Sequence, residues 1–199
     1  MTIKAIYFDL GGVIVRTDKP DSRAQLAAEF GMTYEEMDKF VFDCQTAIQA
    51  TLGEVTEQEH WLDVARRLKR PESDFPRLRD AFFGGDTVDM EIVNLLRSLR
   101  RTHKTGLISN AWDGLRPWIV SQSFDDAFDE MIISAEFGVA KPDARIYQHA
   151  LERLGVKPEE AIFVDDVEKN VAASKALGMH GVLFRSSEQA LADVKRLLS

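Results

Sequence analysis

The feature that most restricts how this chain can fold is a beat of short apolar runs and helical stretches through its second half. Helical periodicity over residues 88–101 leads to an apolar run at 105–108, and a further helix leads to a run at 131–133. A longer helix over 143–154 stops at Gly155 before a run at 161–164, and a helix over 168–177, closed by Gly178, precedes a run at 181–184. Ser186 and Gln189 then cap a terminal helix. Runs this short and apolar read as strands buried on both faces, and strands that alternate with helices pair in parallel because the helix is the crossover. The N-terminus adds one more strand, over residues 3–8, which ends abruptly at Asp9 and is followed by Leu10, Gly11 and Gly12. The expected class is α/β, a parallel sheet between layers of helices.

Polar residues fall where such a sheet places its chemistry. Asp9, Ser109 with Asn110, and the pair Asp165 and Asp166 each follow the end of a different strand, and Lys141 lies in a loop just after another. The carboxyl ends of parallel strands open into a common crevice, so these side chains are expected to converge. Asp9 alone also reads as turn vocabulary, Asp-x-Gly-Gly. A second acidic pair, Asp125 and Asp126, has no strand before it and reads as a solvated loop beside a helix.

Between residues 20 and 83 the strand vocabulary disappears. Residues 21–30 form a helical stretch ending at Gly31, a suitable left-handed stop. Thr33 with Glu36 and Thr56 with Glu59 make two capping boxes, and Trp61, Val64, Ala65 and Leu68 follow the second at helical spacing until Pro71. That stripe reads as core. The expected organisation is a sheet unit made of residues 1–16 and 86–199, interrupted by an all-helical unit over 17–85 with its return at Gly84-Gly85.

Composition narrows the functional classes. A formal charge of −8 argues against nonspecific binding to nucleic acid or an anionic membrane. No apolar run approaches the roughly 20 residues that span a bilayer, and the N-terminus moves directly into a strand, so neither a membrane helix nor a secretory signal is expected. The single cysteine, Cys44, permits no internal disulfide and reads as a small helix residue; a cytoplasmic location is the natural expectation. His60, His103, His149 and His180 show neither metal-ligand spacing nor a partnered Ser or Cys.

Four motifs in order carry a family resemblance. FDLGG at residues 8–12, LISN at 107–110, GVAKPDARIYQ at 138–148 and IFVDDVEKNVAASKALG at 162–178 resemble the haloacid dehalogenase superfamily over essentially all of the chain outside the helical insert. The resemblance implies a Rossmann-like parallel-sheet core with a helical cap inserted after the first strand. It implies that Asp9 is a nucleophile, that Ser109 holds a phosphate oxygen together with Asn110, Gly12 and Lys141, and that Lys141 also keeps Asp9 ionised. It further implies Mg²⁺ held by the side chains of Asp9 and Asp166 and the main-chain carbonyl of Gly11, with Asp165 assisting behind them. The cation matters, because a carboxylate approaching a phosphate dianion meets repulsion on the order of 4 kcal/mol at about 4 Å and an effective dielectric near 20.

The first motif departs from the usual phosphatase pattern. Phosphatases of this family usually carry a second Asp two residues after the nucleophile, where it protonates the leaving group and later activates water; here that position is Gly11. Such a group is typically worth about 10² to 10⁴-fold. Asp18 and Asp113 are candidate substitutes, and each also reads as an exposed turn or helix-cap acid. A glycine there could also occupy a backbone conformation with positive φ that resists a side chain. FDLGG resembles a phosphatase branch, so the expected activity is Mg²⁺-dependent hydrolysis of a small phosphorylated metabolite, a sugar phosphate among the candidates, through an aspartyl-phosphate. The alternatives are a dehalogenase-type carbon-centred hydrolase and a non-catalytic binding protein that keeps the fold. Glu54, in the turn over residues 52–55, is a candidate cap contact. Nothing in the sequence specifies an oligomeric state.

Overall fold

The computed structural model describes residues 2–198. Its strands are β1 (Ala5–Phe8), β2 (Val15–Thr17), β3 (Asp86–Val88), β4 (Lys104–Ser109), β5 (Glu130–Ile133), β6 (Ala161–Asp165) and β7 (His180–Leu183). The main sheet runs β5-β4-β1-β6-β7. Every neighbouring pair in it is parallel, with Ala5 of the central strand opposite Lys104 on one side and Ala161 on the other. All residues of β1 are buried, as a strand covered by helices on both faces requires. Ile6 and Phe8 join one apolar cluster with Leu107, Ile162 and Val164, whereas Ala5 and Tyr7 join another with Ile108, Tyr147 and Phe163. That division is the two-residue period of a strand. Gly106 leaves room for the Tyr7 ring, which a Cβ there would overlap.

The helices of the core are α6 (Met90–Leu99), α7 (Leu115–Ser121), α8 (Ser134–Phe137), α9 (Ala144–Leu154), α10 (Glu168–Ala176) and α11 (Ser187–Leu198). Two expectations need correction. Val88 does not begin a helix: it ends β3, and α6 starts at Met90 because Asp89 accepts the N–H groups of Glu91 and Ile92, at 3.0 and 3.2 Å. Lys141 does not follow its strand directly, since α8 intervenes after β5.

The insert folds as α1 (Asp21–Glu29), α2 (Tyr34–Phe42), α3 (Gln45–Thr51), α4 (Glu57–Arg67) and α5 (Phe75–Phe83). Both capping boxes form, at Thr33 with Glu36 and Thr56 with Glu59. Trp61, Val64, Ala65 and Leu68 are buried in a cluster that includes Leu26, Met37, Leu78 and Phe82. One member of this cluster, Trp112, comes from the loop after β4. Its indole N–H donates to the Ala47 carbonyl at 3.3 Å. Below the insert, β2 and β3 pair antiparallel and make a stalk on which chain entry and exit run side by side. Cys44 caps α3 and is half-buried rather than helical. Among the described residues, no helix is long and apolar enough to cross a membrane.

Candidate active site

The carboxyl edge of the sheet gathers Asp9 after β1, Ser109 at the end of β4, Asp165 at the end of β6, and Asp166 next to it. Lys141 ties them together. Its ammonium lies 2.8 Å from Asp9 Oδ1 and 2.7 Å from Asp165 Oδ2, and all three side chains are buried. Asp9 Oδ1 also accepts the Leu10 N–H at 2.7 Å. Asp165 is the best-satisfied carboxylate of the group: its Oδ1 takes the Val167 N–H at 2.8 Å, and the Asn170 amide donates to both its oxygens at 3.1 and 3.2 Å.

This arrangement redistributes charge in a way the motif did not foretell. One ammonium serves two carboxylates, so Lys141 does not hold Asp9 in the usual carboxylate range. Burial raises the Asp9 pKa, Lys141 opposes that, and the negative charge of Asp165 adds to it. Asp166 is raised as well, by burial first and then by Asp165. Further positive charge at the cluster would pull both back down.

A hard cation fits this place. Asp9, Asp165 and Asp166 each offer a carboxylate oxygen, all within 4.8 Å of one another. Gly12 adopts φ 77°, and a Cβ there would overlap the Asp166 carboxylate, so the glycine is what admits that side chain. The buried Asn170 Oδ1 has no protein partner. Oxygen donors and net negative charge match the requirements of Mg²⁺.

Several expected contributions change. The Asn110 amide does not reach outward for a ligand: its Nδ2 donates to the Lys141 carbonyl at 2.9 Å and its Oδ1 accepts the Lys141 N–H at 2.7 Å, which fixes the lysine loop. The Gly12 N–H donates to the Val15 carbonyl at 2.9 Å and so is not available to a phosphate oxygen. Asp165 faces Lys141 and Asn170 rather than simply standing behind a metal. Neither candidate substitute acid is idle: Asp18 accepts the Thr87 hydroxyl, and Asp113 accepts the Glu57 N–H at 2.8 Å. Glu54 is exposed, and its neighbour Gly53 packs on the Ala135 carbonyl. Gly11 is not in the left-handed region, and a Cβ there would meet nothing within 4 Å. Asn170 was missed, although its place one turn into the helix after the acidic pair was the available signal. The histidines have structural neighbours: His60 lies 2.9 Å from Thr46, His103 2.8 Å from Thr102, His180 3.1 Å from the Glu159 carbonyl, and His149 stacks on Phe137. Asp126 is engaged by Arg97 at the surface.

A carboxylate–lysine–carboxylate chain at the carboxyl edge of a parallel sheet is the layout of an α/β enzyme with a polar, ionic site. The chain belongs to the haloacid dehalogenase-like hydrolase family, whose model matches residues 3–178, and it is a hydrolase. It is 29% identical over 188 residues to a D-ribitol-5-phosphate phosphatase of Bacteroides thetaiotaomicron, covering 88% of this chain and 89% of that protein. It is 39% identical over 71 residues to acyl-CoA dehydrogenase family member 10 of Mus musculus, a match that takes in 36% of this chain and 7% of that protein. Its fold is shared with a crystal structure of a Bacteroides thetaiotaomicron HAD family enzyme in complex with magnesium and inorganic phosphate, at TM-score 0.78 and 22% identity, covering 93% of this chain and 96% of that one.

Proposed function

We propose that this hydrolase cleaves phosphate monoesters of small metabolites through an aspartyl-phosphate on Asp9, with residues 1–16 and 86–199 as the catalytic core and residues 17–85 as a cap. The observation that carries the reading is the Lys141 ammonium lodged between Asp9 and Asp165, with Asp166 alongside. Oδ1 of Asp9 is occupied by Lys141 and the Leu10 N–H, which orients the carboxylate and leaves Oδ2 for attack. Oδ2 forms the new bond to phosphorus as the bond from phosphorus to the leaving oxygen breaks, and the departing alkoxide takes up a proton from solvent water. Water then attacks phosphorus, releasing phosphate and restoring the carboxylate. The Ser109 hydroxyl would bond a phosphoryl oxygen, while Asn110 keeps Lys141 in register through its main chain. Asp9, Asp166 and the Gly11 carbonyl would hold Mg²⁺, which when bound supplies a hard Lewis acid that offsets phosphoryl charge.

The phosphatase named among the relatives supports this reading of the family's chemistry for the chain. The test is hydrolysis of a panel of phosphate monoesters with and without chelator, beside the Asp9→Asn variant. Activity that EDTA removes and Mg²⁺ restores, loss of turnover in Asp9→Asn with retained fold, and a phosphoryl adduct on the Asp9 peptide after acid quench are expected. Full activity after exhaustive chelation, or an adduct elsewhere, would sink the mechanism.

A further inference from the structure

An aromatic surface where the insert meets the loop after β4 is not used by the proposed chemistry. Phe42 closes α2 and is 41% exposed, although its ring sits 5.7 Å from Trp112, 5.3 Å from Phe82 and 6.4 Å from Phe83. Trp112 belongs to the core and follows Ser109 by three residues, which keeps its backbone within about 10 Å of that serine. Phe83 ends α5 just before the chain returns to the stalk, and its ring is 6.3 Å from Trp112. Phe42 therefore touches a ring of the core from the insert while keeping much of its own face open. Trp112 thereby ties this aromatic group to the loop that leaves the Ser109 strand end.

The chemistry of this surface is narrow. The indole N–H of Trp112 is already given to the Ala47 carbonyl, and His60, whose ring lies 4.5 Å from Trp112, is fully buried. What remains exposed is aromatic carbon. Covering it with a hydroxyl-rich chain would strip water from the hydroxyls without returning hydrogen bonds, whereas a flat or unsaturated hydrocarbon gains both apolar burial and ring contact.

We infer that Phe42, with Trp112 and Phe83, forms the leaving-group wall of the site and selects phosphate monoesters whose organic part is aromatic or an unsaturated hydrocarbon rather than a polyol. The inference deepens the phosphatase reading and rests on it for the location of the phosphoryl group. Phe42 is the specificity-determining residue, because it alone of the three rings is open enough to change contact on binding.

The test compares three non-hydrolysable ligands by calorimetry with Mg²⁺ present: methylphosphonate, 2,3-dihydroxypropylphosphonate and 2-naphthylmethylphosphonate. The expected result is that the naphthyl compound binds about tenfold tighter than methylphosphonate, as one or two aromatic contacts supply, while the dihydroxypropyl compound gains nothing. Phe42→Ala should reduce the naphthyl-to-methyl ratio to near one, and Phe42→Leu should restore part of it. Circular dichroism and thermal melting of both variants separate a lost contact from a lost fold. Equal affinity for the methyl and naphthyl compounds, a naphthyl advantage that survives Phe42→Ala, or a preference for the dihydroxypropyl compound each overturns the wall. A naphthyl advantage that depends on Phe42 in a protein that hydrolyses no phosphate ester would instead reject the phosphatase reading and leave the wall standing. Failure of all three phosphonates to bind would reject both.

Discussion

Gly11 and Gly12 sit side by side after Asp9, but only Gly12 has a left-handed backbone, at φ 77°, and only there would a Cβ overlap the Asp166 carboxylate. Gly11→Ala should therefore leave stability and metal affinity nearly unchanged, whereas Gly12→Ala should lower both, by more than the roughly 1 kcal/mol that a strained φ alone costs. Thermal melts with and without Mg²⁺ would check the pair. Gly11→Asp meets no clash at its Cβ, so it should raise kcat/KM on esters with poor leaving groups, by up to about 10²-fold, and do little for aryl esters. A wild-type leaving-group series with no slope would show that some other group already supplies the proton. His60 yields a second residue-level prediction. Burial holds its pKa down from 6.5 to about 4, so the unfolded chain binds a proton in that interval and the folded chain does not. The stability it contributes is complete above pH 6.5 and is lost as pH falls toward 4. Urea midpoints measured across that range should decline less steeply in His60→Gln than in the wild type. In the sequence the positive φ was expected at Gly11 rather than Gly12 and His60 was incidental, because what decides each is a backbone angle or a tertiary environment, neither of which a single chain spells out.

At the scale of elements, the N-terminus of α4 is completed from outside the insert. Thr56 and Glu59 satisfy each other, but the Glu57 N–H is accepted by Asp113, from the loop that also carries Trp112. Gly114 permits this docking, since a Cβ there would overlap the Glu57 carboxylate, which in turn meets Arg79 at 2.6 Å. Asp113→Ala should cost about 0.5–2 kcal/mol and Asp113→Asn much less, with faster amide exchange confined to the first turn of α4 as the readout. Uniform acceleration across the sheet would mean that Asp113 acts on the whole fold instead. The helices with caps and strong apolar stripes were legible in sequence, α4 above all. The stalk was not: β2 and β3 are three residues each, and neither shows its pairing without a partner some seventy positions away. The site followed the same division. Asp9, Ser109, Lys141 and the acidic pair were visible because each follows a strand end or sits in a motif, whereas the Asn110 grip on Lys141 and the Asn170 grip on Asp165 are matters of side-chain direction.

For the molecule as a whole, two carboxylates share one buried ammonium, with a third alongside, at the point where three strands and a loop meet. Such a cluster opposes folding until a cation joins it. Mg²⁺ at a hundred times its dissociation constant should stabilise the protein by about 2.7 kcal/mol. That corresponds to a rise in Tm of roughly 5–10 °C for a chain of this size. Asp166→Asn should melt higher than the wild type without metal and respond less to Mg²⁺; a wild type indifferent to Mg²⁺ would contradict a metal site here. The topology of the sheet bears also on how the chain is made. β1 is the central strand, yet its neighbours begin at Lys104 and Ala161. At the usual ~5–20 residues per second of synthesis, Ile6, Tyr7 and Phe8 wait some 5–20 s for the first of them, during which the helical insert can assemble its own core except for Trp112. β1 thus stays unpaired while the whole insert is made, and a newborn chain has particular need of a chaperone at that strand until β4 follows.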